Sequence, residues 1–357
     1  MEKSNYTEIS CDALYHNAKN IIQQVLVPVI GVVKCNGYGV TIQQAAAAWE
    51  KAGAFMLAVS RPEEALALRQ WGYGKDILLL TPVADKDTLT QMIENDIILT
   101  VSNFQNGRFY SMNSSGKPLR VHIAIDTGMG RFGIRWTDTS QLQAVYHLAG
   151  LCFEGIFSHF SQSFEAKCRY TAMQLERFLL TTDTLQAAGF PVGIRHIANT
   201  NGALRFPETR LDAVRIGSGL VGISRADSDF VSVRTNYAQV VDCKHFNSGD
   251  RPGYGRHCVI KKHTKAIVVS LGKMDGFGQI TIPEQLRLRN FLSYLLRIWK
   301  CWRYPPCVTY QGKKLPILGQ VGNQHTLFDA SDTDILPGDW VTWEGSLMTT
   351  RSPHIFV

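Results

Sequence analysis

The sequence predicts an α/β fold, a (β/α)8 TIM-type barrel followed by a C-terminal mostly-β domain. Three observations carry this expectation. First, short apolar runs alternate with helix-patterned stretches through the first ~225 residues, which argues parallel strands joined by crossover helices; about eight such runs suit a closed barrel better than an open sheet. Second, Lys34, Arg131, His159, Asn199, Thr200 and Arg215 all stand at or just beyond the C-terminal ends of these runs. In a barrel those ends converge on one face, where α/β folds gather their chemistry. Third, after about Asp229 the texture changes to strand-like runs separated by turns. The domains are drawn at 1–228 and 229–357, with residues 1–10 free to pair with the second.

In chain order, 5–9 reads as a short strand. Residues 12–21 read as a helix with Asp12 as N-cap. The apolar run 28–33 reads as a buried parallel strand that ends on Lys34. Asn36-Gly37-Tyr38-Gly39 then breaks the pattern as a loop needing positive φ or close backbone approach, and an alanine-rich helix follows. Residues 55–60 form a strand ending in Arg61-Pro62-Glu63-Glu64, a helix start with proline near N1 and acids in the first turn. Strands are expected at 76–81, 97–101, 119–126, 153–158, 194–198 and 211–216, and helices at 86–94, 140–148 and 167–188. Beyond 229, the runs 231–241 and 262–271 and the end Leu336-Pro-Gly-Asp-Trp-Val-Thr-Trp read as strands and turns.

Composition narrows the function. The 357 residues are 45% hydrophobic and 19% charged, ordinarily globular. No apolar run approaches the ~18 residues of a membrane span, and the first residues lack the apolar core of a signal peptide. The eight cysteines show no metal-type spacing and read as reduced thiols, so a cytoplasmic location is expected and no metal. A net charge of +7 attracts anionic ligands but comes with no nucleic-acid-binding motif.

A lysine at the end of a buried strand can lose its proton on desolvation and attack an aldehyde. The plainer reading is a lysine escaping the core. The motif Lys34-Cys35-Asn36-Gly37-Tyr38-Gly39 is similar to the lysine motif of alanine racemases, fold-type III pyridoxal-phosphate enzymes. Further matches follow in that family's order: Thr127-Gly128-Met129-Gly130-Arg131-Phe132-Gly133, Phe157-Ser158-His159-Phe160, His196-Ile197-Ala198-Asn199-Thr200, Arg215-Ile216-Gly217-Ser218 and Gly253-Tyr254-Gly255-Arg256.

The resemblance implies pyridoxal 5'-phosphate as cofactor, with Lys34 as the amine that holds it and as one of two acid/base groups. Tyr38, Asn199, Thr200, Gly217 and Ser218 are implied to hold the phosphate. Arg215 is implied to face the pyridine nitrogen; a guanidinium cannot take up a proton, so that nitrogen stays unprotonated. The plain alternative for Arg215 is a salt bridge with Asp212. Arg131 is implied to hold the substrate carboxylate region, and His159 to hydrogen-bond the catalytic tyrosine. Tyr254 is implied to be the second base, supplied by the partner subunit of a homodimer. Lone strand-end histidines and Asn-Thr pairs are more often structural.

The second half departs from the family pattern. Lys273 stands where the family has a tyrosine, and Asn323-Gln324 stand where it has Met-Asp, the first of which approaches the substrate carboxylate through its backbone. Ala124 stands where many members have a lysine that becomes carbamylated, and after Trp343 no match is found to the family's longer ending. The stretch 285–307, apolar and basic, has no family counterpart; a basic amphipathic helix of this kind can touch a membrane or a partner, but packing on its own domain is the preferred reading. The expected activity is amino-acid racemisation by a Lys34/Tyr254 two-base mechanism, alanine being the expected substrate. A racemase of another amino acid such as serine, or a silent pyridoxal-phosphate-binding protein, stays open. A decarboxylase of similar barrel type is disfavoured by Tyr254, since such enzymes place a cysteine there.

Overall fold

The computed structural model describes residues 4–114, 116–165, 169–226, 229–279, 291–345 and 352–357. The chain forms two compact units, Cys11–Val233 and, separately, Arg234–Val357 with the N-terminal residues up to Ser10. The architecture is an N-terminal α/β barrel and a C-terminal β-rich domain.

In the first unit eight parallel strands close on themselves: β2 (Val29–Val32), β3 (Met56–Val59), β4 (Ile77–Leu79), β5 (Leu99–Val101), β6 (Leu119–Asp126), β7 (Leu151–Phe157), β8 (Ile194–His196) and β9 (Val214–Ile216). Strand β1 is Asn5–Ile9 and belongs to the second unit. Single bridges, Leu78 to Ile98 and His196 to Ala213, join the two arcs of the barrel. Strands β2 to β5 are buried on both faces, as continuous rather than alternating apolar runs require. Ile30, Val32, Met56, Ala58, Leu78, Ile98 and Ala213 form one of its core clusters. Outside, Trp49 packs on β2 so closely that a Cβ on Gly31 would lie 2.6 Å from its ring.

The helices begin and end where side-chain chemistry dictates. Helix α1 spans Cys11–Val25, with Asp12 inside the first turn rather than at the cap. Helix α2 (Ile42–Ala52) is capped by Thr41 and ends on Gly53 in the left-handed conformation; α3 (Pro62–Trp71) opens on proline and two glutamates. Helix α4 (Lys86–Glu94) is capped by Asp85, and α5 (Phe104–Asn113), which the apolar pattern does not predict, by Asn103. Helices α6 (Thr139–Tyr146), α7 (Arg169–Ala187) and α8 (Thr200–Arg205) complete the unit. Helix α7 buries Thr171, Gln174, Leu175, Phe178, Thr182 and Leu185, a stripe at helical spacing; Phe178, fully buried, contributes roughly 1.5–3 kcal/mol.

The second unit is antiparallel except where β1 meets the last strand. Its strands are β10 (Arg234–Phe246), β11 (Thr264–Val269), β12 (Cys307–Tyr310), β13 (Lys313–Pro316), β14 (Thr326–Asp329), β15 (Trp340–Trp343) and β16 (His354–Phe356), in the order β13–β12–β15–β10–β1–β16, with β11 between β10 and β14. A bulge between Val240 and Asp242 lets β10 serve β1 and β15 with one half and β11 with the other. Ala238, Val240, Ile267, Val269, Val308, Phe328, Val341 and Trp343 fill its core. Helix α9 (Phe291–Arg303) also belongs here.

Candidate active site

A cavity of about 390 Å³ in the first unit is lined by Lys34, Tyr38, Arg131, His159, Asn199, Thr200, Arg215, Gly217 and Ser218. Nine of the eleven residues singled out in the sequence therefore meet around one space. Lys34 follows β2 directly, and the chain after it winds left-handed: Cys35, Asn36, Gly37 and Tyr38 have φ of 55°, 52°, 67° and 56°. Such a run costs roughly 1–2 kcal/mol per non-glycine residue and persists only when its surroundings hold it. Glu64 does so from α3. One carboxylate oxygen accepts the Cys35 N–H at 2.7 Å, the other those of Ser60 and Arg61. Asn36 accepts the Ile42 N–H, tying the turn to α2. Burial, and Arg131 nearby, hold the Lys34 amine below the usual lysine range, the direction that frees its lone pair.

Beside it the ends of β8 and β9 make a cradle of donors. The N–H groups of Gly217 and Gly219 and the Ser218 hydroxyl all converge on Thr200 Oγ1, each at 3.4 Å. Those contacts are long and weak, so an anion placed among them would draw the donors away at little cost. Gly217 is needed: a Cβ there would lie 2.2 Å from the Tyr38 hydroxyl. Burial pushes that hydroxyl up, so it stays protonated as a donor. Asn199 caps α8 by accepting the Gly202 N–H and is itself fixed by the Ser163 hydroxyl.

Arg215, a buried residue of the cavity lining, spends its donors on the backbone oxygens of Ser158, His196 and Ile197 and on two histidines. Its Nη1 donates to His196 Nδ1 at 2.6 Å, and its Nη2 to His159 Nδ1 at 3.3 Å. Asp212 pairs instead with Arg195, so the plain salt-bridge reading of Arg215 does not hold. Burial pushes the guanidinium down to about 9, Arg131 adding to the effect, which leaves it charged at neutral pH. His159 and His196 are held well below the usual imidazole range, by burial first and Arg215 second.

The Thr127–Gly133 loop is braced from α7. Gln174 donates to Thr127 Oγ1 and to the His159 carbonyl, Arg177 to the Thr127 carbonyl and Tyr170 to the Gly128 carbonyl. Asp126 accepts the N–H groups of Gly128 and Gly130. Gly133, with φ of 110°, doubles back so tightly that a Cβ would touch the backbone of β6. The loop carries Arg131 to the cavity. Among the described lining residues stand Lys34, Arg131 and Arg215 and no carboxylate, so the cavity favours anions.

Residues 9–225 match the family model of the alanine racemase N-terminal domain. Alanine racemase of Desulforamulus reducens is 33% identical over 293 residues, 78% of this chain and 79% of its own; that of Desulfosudis oleivorans is 31% identical over 366 residues, 96% and 88%. This chain belongs to the alanine racemase family. Those enzymes are fold-type III pyridoxal-phosphate amino-acid racemases. The solved alanine racemase of Clostridium difficile 630 shares the fold over 99% of this chain and 96% of its own, with a TM-score of 0.86 at 24% identity.

Two of the eleven residues, Tyr254 and Asn323, lie in the second unit. Tyr254 starts a short 3-10 turn and is 75% exposed; with Gly253, Gln320, His325 and Leu327 it lines a shallow groove of that unit. Two of the departures from the alanine racemase pattern, Lys273 and Asn323, are neighbours. The Lys273 N–H donates to the Gly322 carbonyl and the Met274 N–H to that of Asn323, while a Cβ on Gly272 would lie 2.3 Å from the Asn323 oxygen. Both side chains are exposed. A third departure, Ala124, lines the barrel cavity together with Arg131.

Sequence reasoning did not find His122, Glu64 or Gln174. His122 sits mid-strand among apolar residues, where nothing marks it; Glu64 reads as an ordinary first-turn acid, and Gln174 as one more residue of a long helix.

Proposed function

We propose that this chain is a pyridoxal-phosphate-dependent racemase that interconverts L- and D-alanine. The observation that carries the reading is one cavity holding a desolvated Lys34 amine, the Thr200–Gly217–Ser218 donor cradle with Tyr38, and the buried Arg215. That set suits the cofactor: an amine for its aldehyde, a cradle that a Cβ at Gly217 would fill, and a guanidinium that keeps its protons. When bound, pyridoxal phosphate supplies the electron sink that makes the substrate Cα–H acidic.

The chain's own residues do the rest. Lys34 Nζ takes or returns the Cα proton on one face, which its lowered basicity suits. Arg215 cannot pass a proton to the ring nitrogen, so charge stays near Cα and reprotonation there is favoured over side reactions. Arg131 meets the substrate carboxylate region. Tyr254 of the partner subunit serves the opposite face in a homodimer, and its exposure leaves it available for that. His159 has its Nδ1 committed to Arg215, so the proton it keeps is on Nε2, ready to donate to a tyrosinate and lower the tyrosine's pKa. Asn323, through its backbone, meets the substrate carboxylate.

The test is proton exchange at Cα in heavy water with pyridoxal phosphate and L-alanine, L-serine in parallel, and chiral separation of the products. Exchange with inversion of alanine is expected, abolished in Lys34→Ala; Tyr254→Phe should lose inversion and keep exchange only with the enantiomer whose Cα–H faces Lys34. Inversion of serine alone would replace alanine as substrate and make Lys273 and Asn323 the first positions to mutate. Bound cofactor with no exchange on either would overturn the alanine reading and leave a racemase of another amino acid, to be sought in a wider panel, or a silent carrier.

A further inference from the structure

Glu64 stands in the first turn of α3, 29 positions beyond Cys35, and its carboxylate reaches two chain segments at once. Oε2 accepts the N–H groups of Ser60 and Arg61, at 3.0 and 3.1 Å, and so closes the start of α3. A glutamate at this position of a helix commonly does that for its own helix. Oε1 goes further, to the Cys35 N–H at 2.7 Å, at the first residue of the left-handed turn. Helix formation asks for the first anchor and not for the second.

The second anchor bears on the site. The Cys35 N–H belongs to the peptide plane that begins at the Lys34 Cα, so fixing it fixes the direction in which the lysine side chain leaves the strand. The turn also decides where Tyr38 stands. Wound left-handed, the chain from Lys34 to Tyr38 advances roughly 6 Å, against roughly 13 Å when extended, which lets both residues line one cavity. Cys35, Asn36 and Tyr38 are not glycines, and an L-residue adopts this conformation only under restraint. Asn36 ties the turn forward to α2, and Glu64 ties its first peptide back to the junction of β3 and α3. Glu64 also acts on the amine by charge: burial, Arg131 and Arg215 press it down, and Glu64 with Cys35 opposes them. We propose that Glu64 is a positioning residue for the racemase, its bridging carboxylate aiming Lys34 and Tyr38 into the cavity. This rests on the reading of that cavity as a pyridoxal-phosphate racemase site.

Variants of the full chain separate the bridge from the fold. Glu64→Asp keeps a carboxylate at the start of α3 but, one methylene shorter, falls short of holding both anchors. Glu64→Gln keeps one acceptor oxygen, enough for one anchor and not both, because its NH2 group accepts nothing. Asp85→Ala removes the N-cap of α4 and is the control for lost helix capping alone. In the cofactor-free protein, amide hydrogen exchange over 34–39 should quicken about tenfold in both Glu64 variants and stay unchanged in Asp85→Ala. Pyridoxal-phosphate affinity, read by visible absorbance, should fall about tenfold in the same two. At saturating cofactor their kcat for alanine should fall roughly tenfold to a hundredfold, with KM within about twofold. Glu64→Asp should keep the thermal unfolding midpoint close to that of the unaltered protein. Unchanged exchange over 34–39, losses no larger than in Asp85→Ala, or a loss carried by KM alone would overturn the proposal. Failure of the unaltered protein to take up pyridoxal phosphate would overturn the functional reading instead, and exchange in the cofactor-free protein would still decide whether Glu64 sets the turn.

Discussion

His122 Nδ1 lies 2.9 Å from His196 Nε2, and the protons along this buried pair are ordered from Arg215. The guanidinium only donates, so His196 Nδ1 accepts and its proton is on Nε2. His196 therefore donates to His122 Nδ1, and the His122 proton is on Nε2, which has no partner. One charged group thus fixes two tautomers across three strands, and the unpaired N–H is where the chain of donors ends.

Removing the acceptor should cost more than shortening it. His122→Phe leaves the His196 N–H buried and unpaired, a loss of about 1–3 kcal/mol. His122→Asn keeps an oxygen in reach and should lose less. Urea unfolding midpoints of the two variants decide; equal losses would mean the proton order is not as drawn.

Acid should destabilise the barrel early. His122 is held down at about 3, and His159 and His196 well below 6.5, by burial and by Arg215. The unfolded chain takes up these protons near pH 6.5 and the folded one does not. Stability is therefore complete above ~6.5 and falls as pH drops below it, by up to about 1.4 kcal/mol per pH unit for each histidine. Unfolding midpoints between pH 8 and 5 would show it, and His122→Asn should have the shallower slope. A flat profile would contradict neutral burial of all three.

Gly217→Ala should damage the anion cradle more than the fold. Its Cβ would strike the Tyr38 hydroxyl, the far end of a side chain that can swing aside. A loss of tenfold or more in pyridoxal-phosphate affinity is expected, read by visible absorbance titration, with thermal stability nearly unchanged. Unaltered affinity would remove Tyr38 and Gly217 from the cradle.

Gly31→Ala should do the reverse. The new methyl would press on Trp49 of α2 and Leu57 of the neighbouring strand β3, both fully buried, at a cost of about 1–3 kcal/mol. Trp49→Ala in the same chain should cost less than the two single losses added together, because it removes the Cγ and Cδ1 that the methyl strikes. Denaturant unfolding of the single and double variants tests the coupling.

What the sequence by itself determined follows from local rules. A buried parallel strand must be apolar throughout, so β2 to β5 were legible from their runs, and Pro62 with Glu63 and Glu64 marked the start of α3, whereas Asp12 fell inside α1 rather than at its cap. Lys34 was legible because it ends an apolar run with a charged group, and Arg215, which the structure places mid-strand in β9, because it interrupts one. Helix α5 was not, because Phe104–Asn113 mixes polar and apolar residues without a clear stripe and owes its helicity to Asn103 and to packing.

Only the tertiary structure decided which groups meet. It paired Asp212 with Arg195 and left Arg215 to the histidines. It brought Glu64 from another helix to hold the left-handed turn after Lys34, and placed Lys273 against Asn323, some fifty positions on. The physical reason is common to all three. Burial, proton order and backbone strain belong to contacts between residues distant in the chain, and a chain read in order carries their donors and acceptors but not their distances.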